Sequence, residues 1–287
     1  MATCVGLLAS ATTSSTMAAQ IDIAGPPGSG AFGIGVTVLP NGNIVVVDPI
    51  GPVSNAGAVY LYDPAGALIS TLIGSTAYDS IGSAGITVLA NGHFVIRSSN
   101  WDNGAVADAG AVTWVDGSTG LSGVVSPSNS LVGTTAGDLV GSGGVTALGN
   151  GNYVVNSHRW NNGEVANVGA VTWANGSTGL SGEVAPTNSL VGTTAYDHVG
   201  MHGVTALGNG NYVVNSAYWD NGAVANVGAV TLVLGESGTI GTIFASNSVL
   251  GTVANQGPTM VFDYDFAREQ LVVGRPASNL ISLFTMP

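Results

Sequence analysis

The chain repeats itself, and the repeat constrains its fold more than any other feature. Residues 81–139 and 140–198 agree at 37 of 59 aligned positions. A third copy begins at residue 199 and diverges after Val230, and two degenerate copies flank these three. One opens at Gly33 (GIGVTVLPNGNIVVV), the other at Pro258 (PTMVFDYDFAREQLVVGRP). The starts lie near 33, 82, 141, 200 and 258, some 49 to 59 residues apart. A period of this size means an array, a solenoid or a propeller. Each unit is too small to bury a core alone and must share its faces with neighbours, which argues for one domain.

The best-conserved unit reads as four short strands. Residues 144–148 (GVTAL) and 152–157 (NYVVNS) flank Asn150-Gly151, a pair that tolerates the positive φ of a type I′ hairpin turn. Residues 169–173 (GAVTW) and 188–193 (NSLVGT) supply a third and a fourth strand, with a polar loop and a turn cluster between. Four antiparallel strands per unit is the content of a propeller blade. The last unit has only three strands, and residues 20–24 (QIDIA) form a lone strand at the other end. Gly25 and Gly33 stand eight apart, as Gly133 and Gly141 do. The expected fold is therefore an all-β, five-bladed β-propeller over residues 20–287. Its repeats run 33–81, 82–140, 141–199, 200–257, and 258–287 plus 20–32, the N-terminal strand closing the last blade. Closure would remove exposed sheet edges. Residues 1–19 read as a disordered or leader segment; they lack the basic start of a signal peptide.

Composition narrows the function. Charged residues make up 7%, the net charge is −12, and four Arg are the only basic side chains besides His. With no basic patch, nucleic-acid binding and attraction to anionic membranes are excluded. No stretch approaches the ~18–20 apolar residues of a membrane span. The single cysteine, Cys4, lies outside the repeats.

The run A-x-D-x-V-G-x-x-G-V-T-A-L-x-N-G-N-Y-V-V, followed by W-x-N-G and G-A-V-T-W, resembles the bacterial FG-GAP-like (integrin-type) repeats. Residues 75–79 (STAYD) and 271–276 (LVVGRP) are nearest in wording. The resemblance covers the chain from about Gln20 onward. It implies a propeller blade and a secreted or cell-surface protein of adhesion or recognition; it does not imply an enzyme. The calcium-binding members of that family carry an acidic D-x-D-x-D-G loop, whereas this hairpin turn is a bare Asn-Gly in four of five units.

In a propeller, the second-to-third and fourth-to-first loops share one face. That face collects Trp101-Asp102, Trp160-Asn161 and Trp219-Asp220, together with Tyr78-Asp79, Gly137-Asp138 and Tyr196-Asp197-His198. Aromatic rings beside carboxylates and amides suit sugar recognition: a ring to stack on, polar groups to fix hydroxyls. The same residues also suit structure, with Trp plugging the gap between blades and Asp accepting loop amides. Unit four alone gathers Tyr196, His198, Met201, His202, Tyr218 and Trp219, so a specific pocket is expected there. His198 and His202 lie on loop and strand, where i, i+4 spacing gives no shared metal face.

Asp263 and Asp265 are the only carboxylates in an innermost strand, either a calcium site or a solvated turn beside Arg268. Hydrolysis of a glycosidic bond needs carboxylates facing one another across it, and the other innermost strands (GVTVL, GITVL, GVTAL, GVTAL) have none. No nucleophile–base arrangement is present, so no catalytic residue and no cofactor are expected. The expectation is a non-enzymatic recognition module binding carbohydrate or a surface protein. The alternatives are a purely structural unit of a larger adhesin-like protein and, last, a glycan-active enzyme.

Overall fold

The computed structural model describes residues 20–51 and 54–286, so the expectation for residues 1–19 lies outside them. The protein is all-β, with five repeated sheets of antiparallel strands in chain order. The first sheet is built from Gly35–Val38, Ile44–Asp48, Ala58–Tyr62 and Leu68–Ile73. The second uses Gly85–Val88, Phe94–Ser98, Ala111–Val115 and Leu131–Val132. The third uses Gly144–Ala147, Tyr153–Ser157, Ala170–Ala174 and Ser189–Val191. The fourth uses Val204–Ala206, Tyr212–Ser216, Ala229–Val233 and Ser248–Leu250. The fifth has Val261–Asp265, Gln270–Arg275 and Leu280–Phe284. The third-to-fourth loops of the second, third and fourth sheets each also lend a two-residue strand to the sheet before. Gly123–Val124 thus pairs in parallel with Leu72 and Ile73, and the next two sheets repeat the arrangement.

The core lies between sheets rather than within them, as units too small for their own core require. Period-2 alternation sends Val45, Val47, Val59 and Leu61 toward the second sheet, where they meet Phe94, Ile96, Trp101 and Val115. Equivalent clusters join the second sheet to the third, the third to the fourth and the fourth to the fifth. Each fully buried Val or Leu in these layers contributes about 1.5–3 kcal/mol.

The hairpin turns differ from the expected type I′. Only their glycines are left-handed (Gly42, Gly92, Gly151 and Gly210, φ 87–88°), while the asparagines are not. The turn is a type I turn closed by a left-handed glycine, with Gly42 N–H donating to Leu39 C=O and Leu39 N–H to Asn43 C=O. The asparagine has a different task. Asn150 accepts the Asn152 amide on Oδ1 and donates Nδ2 to Gly235 C=O, on the following sheet.

Closure by an N-terminal strand is corrected by the structure. Residues 20–26 form no strand, and the fifth sheet has three. Ile23 and Phe32 pack on Tyr60, Tyr62 and Val46 of the first sheet instead. The apolar residues of QIDIA alternate as a strand's would, but two tyrosine rings offer more apolar contact than a distant sheet edge. The outward face of the fifth sheet is open to solvent at Ile281 and Leu283, and that of the first sheet only along its first strand, at Val36 and Val38.

Candidate functional site

The three loop tryptophans are not a stacking surface. Trp101, Trp160 and Trp219 are only 2%, 3% and 6% exposed. Each ring is wedged into the core between successive sheets. Their neighbours explain why. Asp79, Asp138 and Asp197 are fully buried. Each accepts amides from its own loop and one from the loop of the next unit. Asp138 Oδ2 takes the Thr134 and Thr135 amides, while Oδ1 takes both the amide and Nδ2 of Asn161. The amides of Asp102 and Asp220 are held the same way by Asp79 and Asp197. The side chains of Asp102, Asn161 and Asp220 then close their own loops by accepting the amides of Asp108, Asn167 and Asn226. Of the two uses open to these residues, the structural one accounts for every contact. Burial pushes the Asp197 carboxyl above its usual range despite its three amide donors.

The unit-four residues behave otherwise. Tyr196, His198, His202 and Tyr218 come together where loops of the third and fourth units meet. His198 lies 6.0 Å from Tyr196 and 6.3 Å from Tyr218, ring centre to ring centre, and His202 lies 5.6 Å from Tyr218. His158 of the third unit joins them, 6.3 Å from His198, and its carbonyl bonds His198 Nδ1 at 2.9 Å. Burial, with Arg159 and His198 beside it, holds the His158 imidazole below its ordinary pKa, and its Nδ1 has no partner among the described residues. The sequence reading missed His158, because the equivalent residues are Ser99 and Ala217.

Backbone geometry singles out Tyr196 further. It is left-handed, φ 68°, and 61% exposed. The equivalent residues of the preceding and following units, Gly137 and Asn255, share that conformation and are residue types that tolerate it. A tyrosine there costs about 1–2 kcal/mol, and burial of its ring does not offset this. Tyr78, at the same position two units earlier, is also left-handed and exposed.

A family model for a repeat of unknown function, DUF5650, matches residues 88–142, 147–201 and 206–258, more than half of the chain. The chain belongs to this family. Each DUF5650 match runs from the last residue of one sheet's first strand through its remaining strands and stops short of the next sheet. The match supports the repeated β-fold implied by the FG-GAP-like resemblance; the FG-GAP identity itself is not shown by it. No curated protein matches the sequence. Among solved structures, a eukaryotic initiation factor is similar at 12% identity and TM-score 0.44, over 92% of this chain and 57% of that one. A protein of unknown function from Bacteroides caccae is similar at 11% identity and TM-score 0.29, over 75% and 65%. This DUF5650 chain therefore spans less than two thirds of either.

On the opposite end of the DUF5650 sheets lie two clefts of about 420 and 280 Å³, lined by Trp114 and Trp173. These half-exposed tryptophans end the third strands, and the sequence reading took them only as strand residues. Their indole N–H groups donate to Gly176 and Gly235 C=O at 2.9 and 2.8 Å. Gly179 lies so close that a Cβ there would sit 2.7 Å from the Trp114 side chain. They brace the next unit. Of the two candidate calcium ligands, Asp265 is engaged by Arg268 at 2.8 Å and caps the turn at Ala267, while Asp263 accepts the Tyr264 amide. Among the described residues no group of three or more His, Cys, Asp or Glu is placed to hold a metal ion, and no helix is long and apolar enough to cross a membrane.

Proposed function

We propose that this protein is a non-enzymatic recognition module, secreted or displayed at a cell surface. It binds carbohydrate at the loop face around Tyr196, His198, His202 and Tyr218. The observation that carries the reading is Tyr196: an exposed ring, grouped with His198, Tyr218 and His202, in a left-handed backbone conformation that its neighbouring units leave to Gly137 and Asn255 and that only Tyr78 shares as a tyrosine. Unfavourable backbone at an exposed aromatic suggests a role outside folding. Two phenol rings and three imidazoles in one cluster supply stacking surface and hydrogen-bond donors and acceptors for hydroxyls.

A glycan-array screen, run with and without calcium, tests it. The wild type is expected to bind, and Tyr196→Gly to lose binding while keeping its stability, since glycine suits that φ. Binding unchanged in the variant would move the site elsewhere. Silence of the wild type on every glycan would leave a protein partner, or the second reading: a structural repeat of a larger assembly. That second reading is favoured by the burial of all three loop tryptophans.

A further inference from the structure

One position on the third strand recurs at each junction between neighbouring sheets, at the end away from the Tyr196 cluster. Leu61, Trp114, Trp173 and Leu232 occupy it, paired across the sheet with Val45, Val95, Val154 and Val213. In the two outer junctions leucine completes the packing and is 1% exposed. In the two middle ones indole takes its place and stays partly at solvent. The indole N–H bonds do not account for the exchange. The Gly176 and Gly235 carbonyls that accept them already accept side-chain amides from Asn91 and Asn150. At the first junction, Gly117 C=O is satisfied by Asn41 and Asn43 without an indole. The carbonyl does not need the tryptophan; the bond fixes how the ring is turned.

The clefts beside Trp114 and Trp173 share Gly179 and Leu180, and so run into one groove across the third unit. Hydroxyls with little else to bond stand along it. Thr178 Oγ1 and Ser237 Oγ reach only the carbonyls of Gly179 and Gly238, at 3.5 and 3.4 Å, too long for a good hydrogen bond. No Lys or Arg lines either cleft, and the one carboxylate, Asp116, is engaged by the Ser118 and Thr119 amides. A charged ligand thus finds no counter-charge. A peptide adding as a strand finds no free edge, because the adjoining fourth strands already pair with Gly182–Glu183 and Gly241–Thr242.

We infer that this groove is a second binding site, for a neutral oligosaccharide lying along both clefts with one sugar ring stacked on each tryptophan. Two like subsites one repeat apart match a ligand that itself repeats. Each indole offers apolar surface, and the hydroxyls beside it bond those of the sugar. The site lies at the other end of the sheets from Tyr196 and does not depend on binding there.

Titration with cellohexaose, mannohexaose and maltohexaose, and with the matching disaccharides, tests this by calorimetry and indole fluorescence. The other three of the five tryptophans are at most 6% exposed, so a shift in emission reports Trp114 and Trp173. At least one hexasaccharide is expected to shift the emission and to bind about tenfold or more tighter than its disaccharide, the second ring binding intramolecularly. Trp114→Leu and Trp173→Leu install the residue of the outer junctions. Each should keep the fold and abolish that advantage of length, while Tyr196→Gly should leave it intact. Binding of no hexasaccharide, binding no tighter than the disaccharide, or an unmoved emission overturns the inference, whether or not the leucine variants fold. Binding kept in both leucine variants and lost in Tyr196→Gly overturns it too, and assigns the sugar to the Tyr196 face.

Discussion

Trp101 and Trp160 occupy equivalent positions and are equally buried, but only one has a partner for its indole N–H. Trp101 Nε1 donates to Ser75 Oγ at 3.0 Å, whereas Trp160 Nε1 has none among the described residues. Phenylalanine removes the donor and keeps much of the ring. Trp101→Phe should therefore cost about 1 kcal/mol more than Trp160→Phe, the net worth of one hydrogen bond, in urea unfolding. Equal costs would mean that ring volume alone matters. That these tryptophans recur, each 22 residues after an Asp, was legible in the sequence; their burial was not. Residue type is the same for a stacking platform and for an inter-sheet wedge, and only the position of the next sheet decides. Tyr196 is the converse case. Its difference from Gly137 stood in the sequence, but the left-handed backbone that gives the difference its meaning did not.

At the scale of elements, the segment over the first sheet hangs on one carboxylate. Asp48 accepts the amides of Ala31, Gly51, Ile50 and Gly30. Burial alone would raise its pKa, but these four donors together bring it below the usual value. The sign follows from linkage: a depressed carboxyl contributes its full stabilisation above the unfolded pKa of about 3.9 and loses it as pH falls through the lowered folded value. The Ala31 amide resonance should move to its unfolded position as pH drops below about 4, and Asp48→Asn should loosen the segment already at neutral pH. An Ala31 resonance unmoved through that range would show that Phe32 and Ile23 hold the segment without it. At the His cluster the direction reverses in residue type. His158 has a lowered pKa, so acidification through the ordinary histidine range forces a proton onto a half-buried ring beside Arg159. The stability lent by neutral His158 is lost as pH falls below the ordinary histidine value of about 6.5, and local order around Tyr196 and Tyr218 should fall with it, read as broadening of the His198 ring signals.

For the whole molecule, the period stood plainly in the sequence, and with it the strand content and the sharing of cores between units. Ring closure was not legible in the same way. A repeat specifies how each sheet meets its neighbour, and says nothing of where the first and last sheets point. The lone strand expected at residues 20–24 came from counting strands, whereas Ile23 is placed by the aromatic pocket of Tyr60 and Tyr62. The account as a whole divides the chain into features that recur and hold the sheets together, and features confined to one junction that face outward. The most direct measurement of that division is the urea unfolding midpoint of two variants side by side. Trp160→Ala, which empties a wedge between sheets, is predicted to lose about 3–5 kcal/mol, and Tyr196→Gly to lose essentially none. Loss of several kcal/mol in Tyr196→Gly, or little loss in Trp160→Ala, would contradict it.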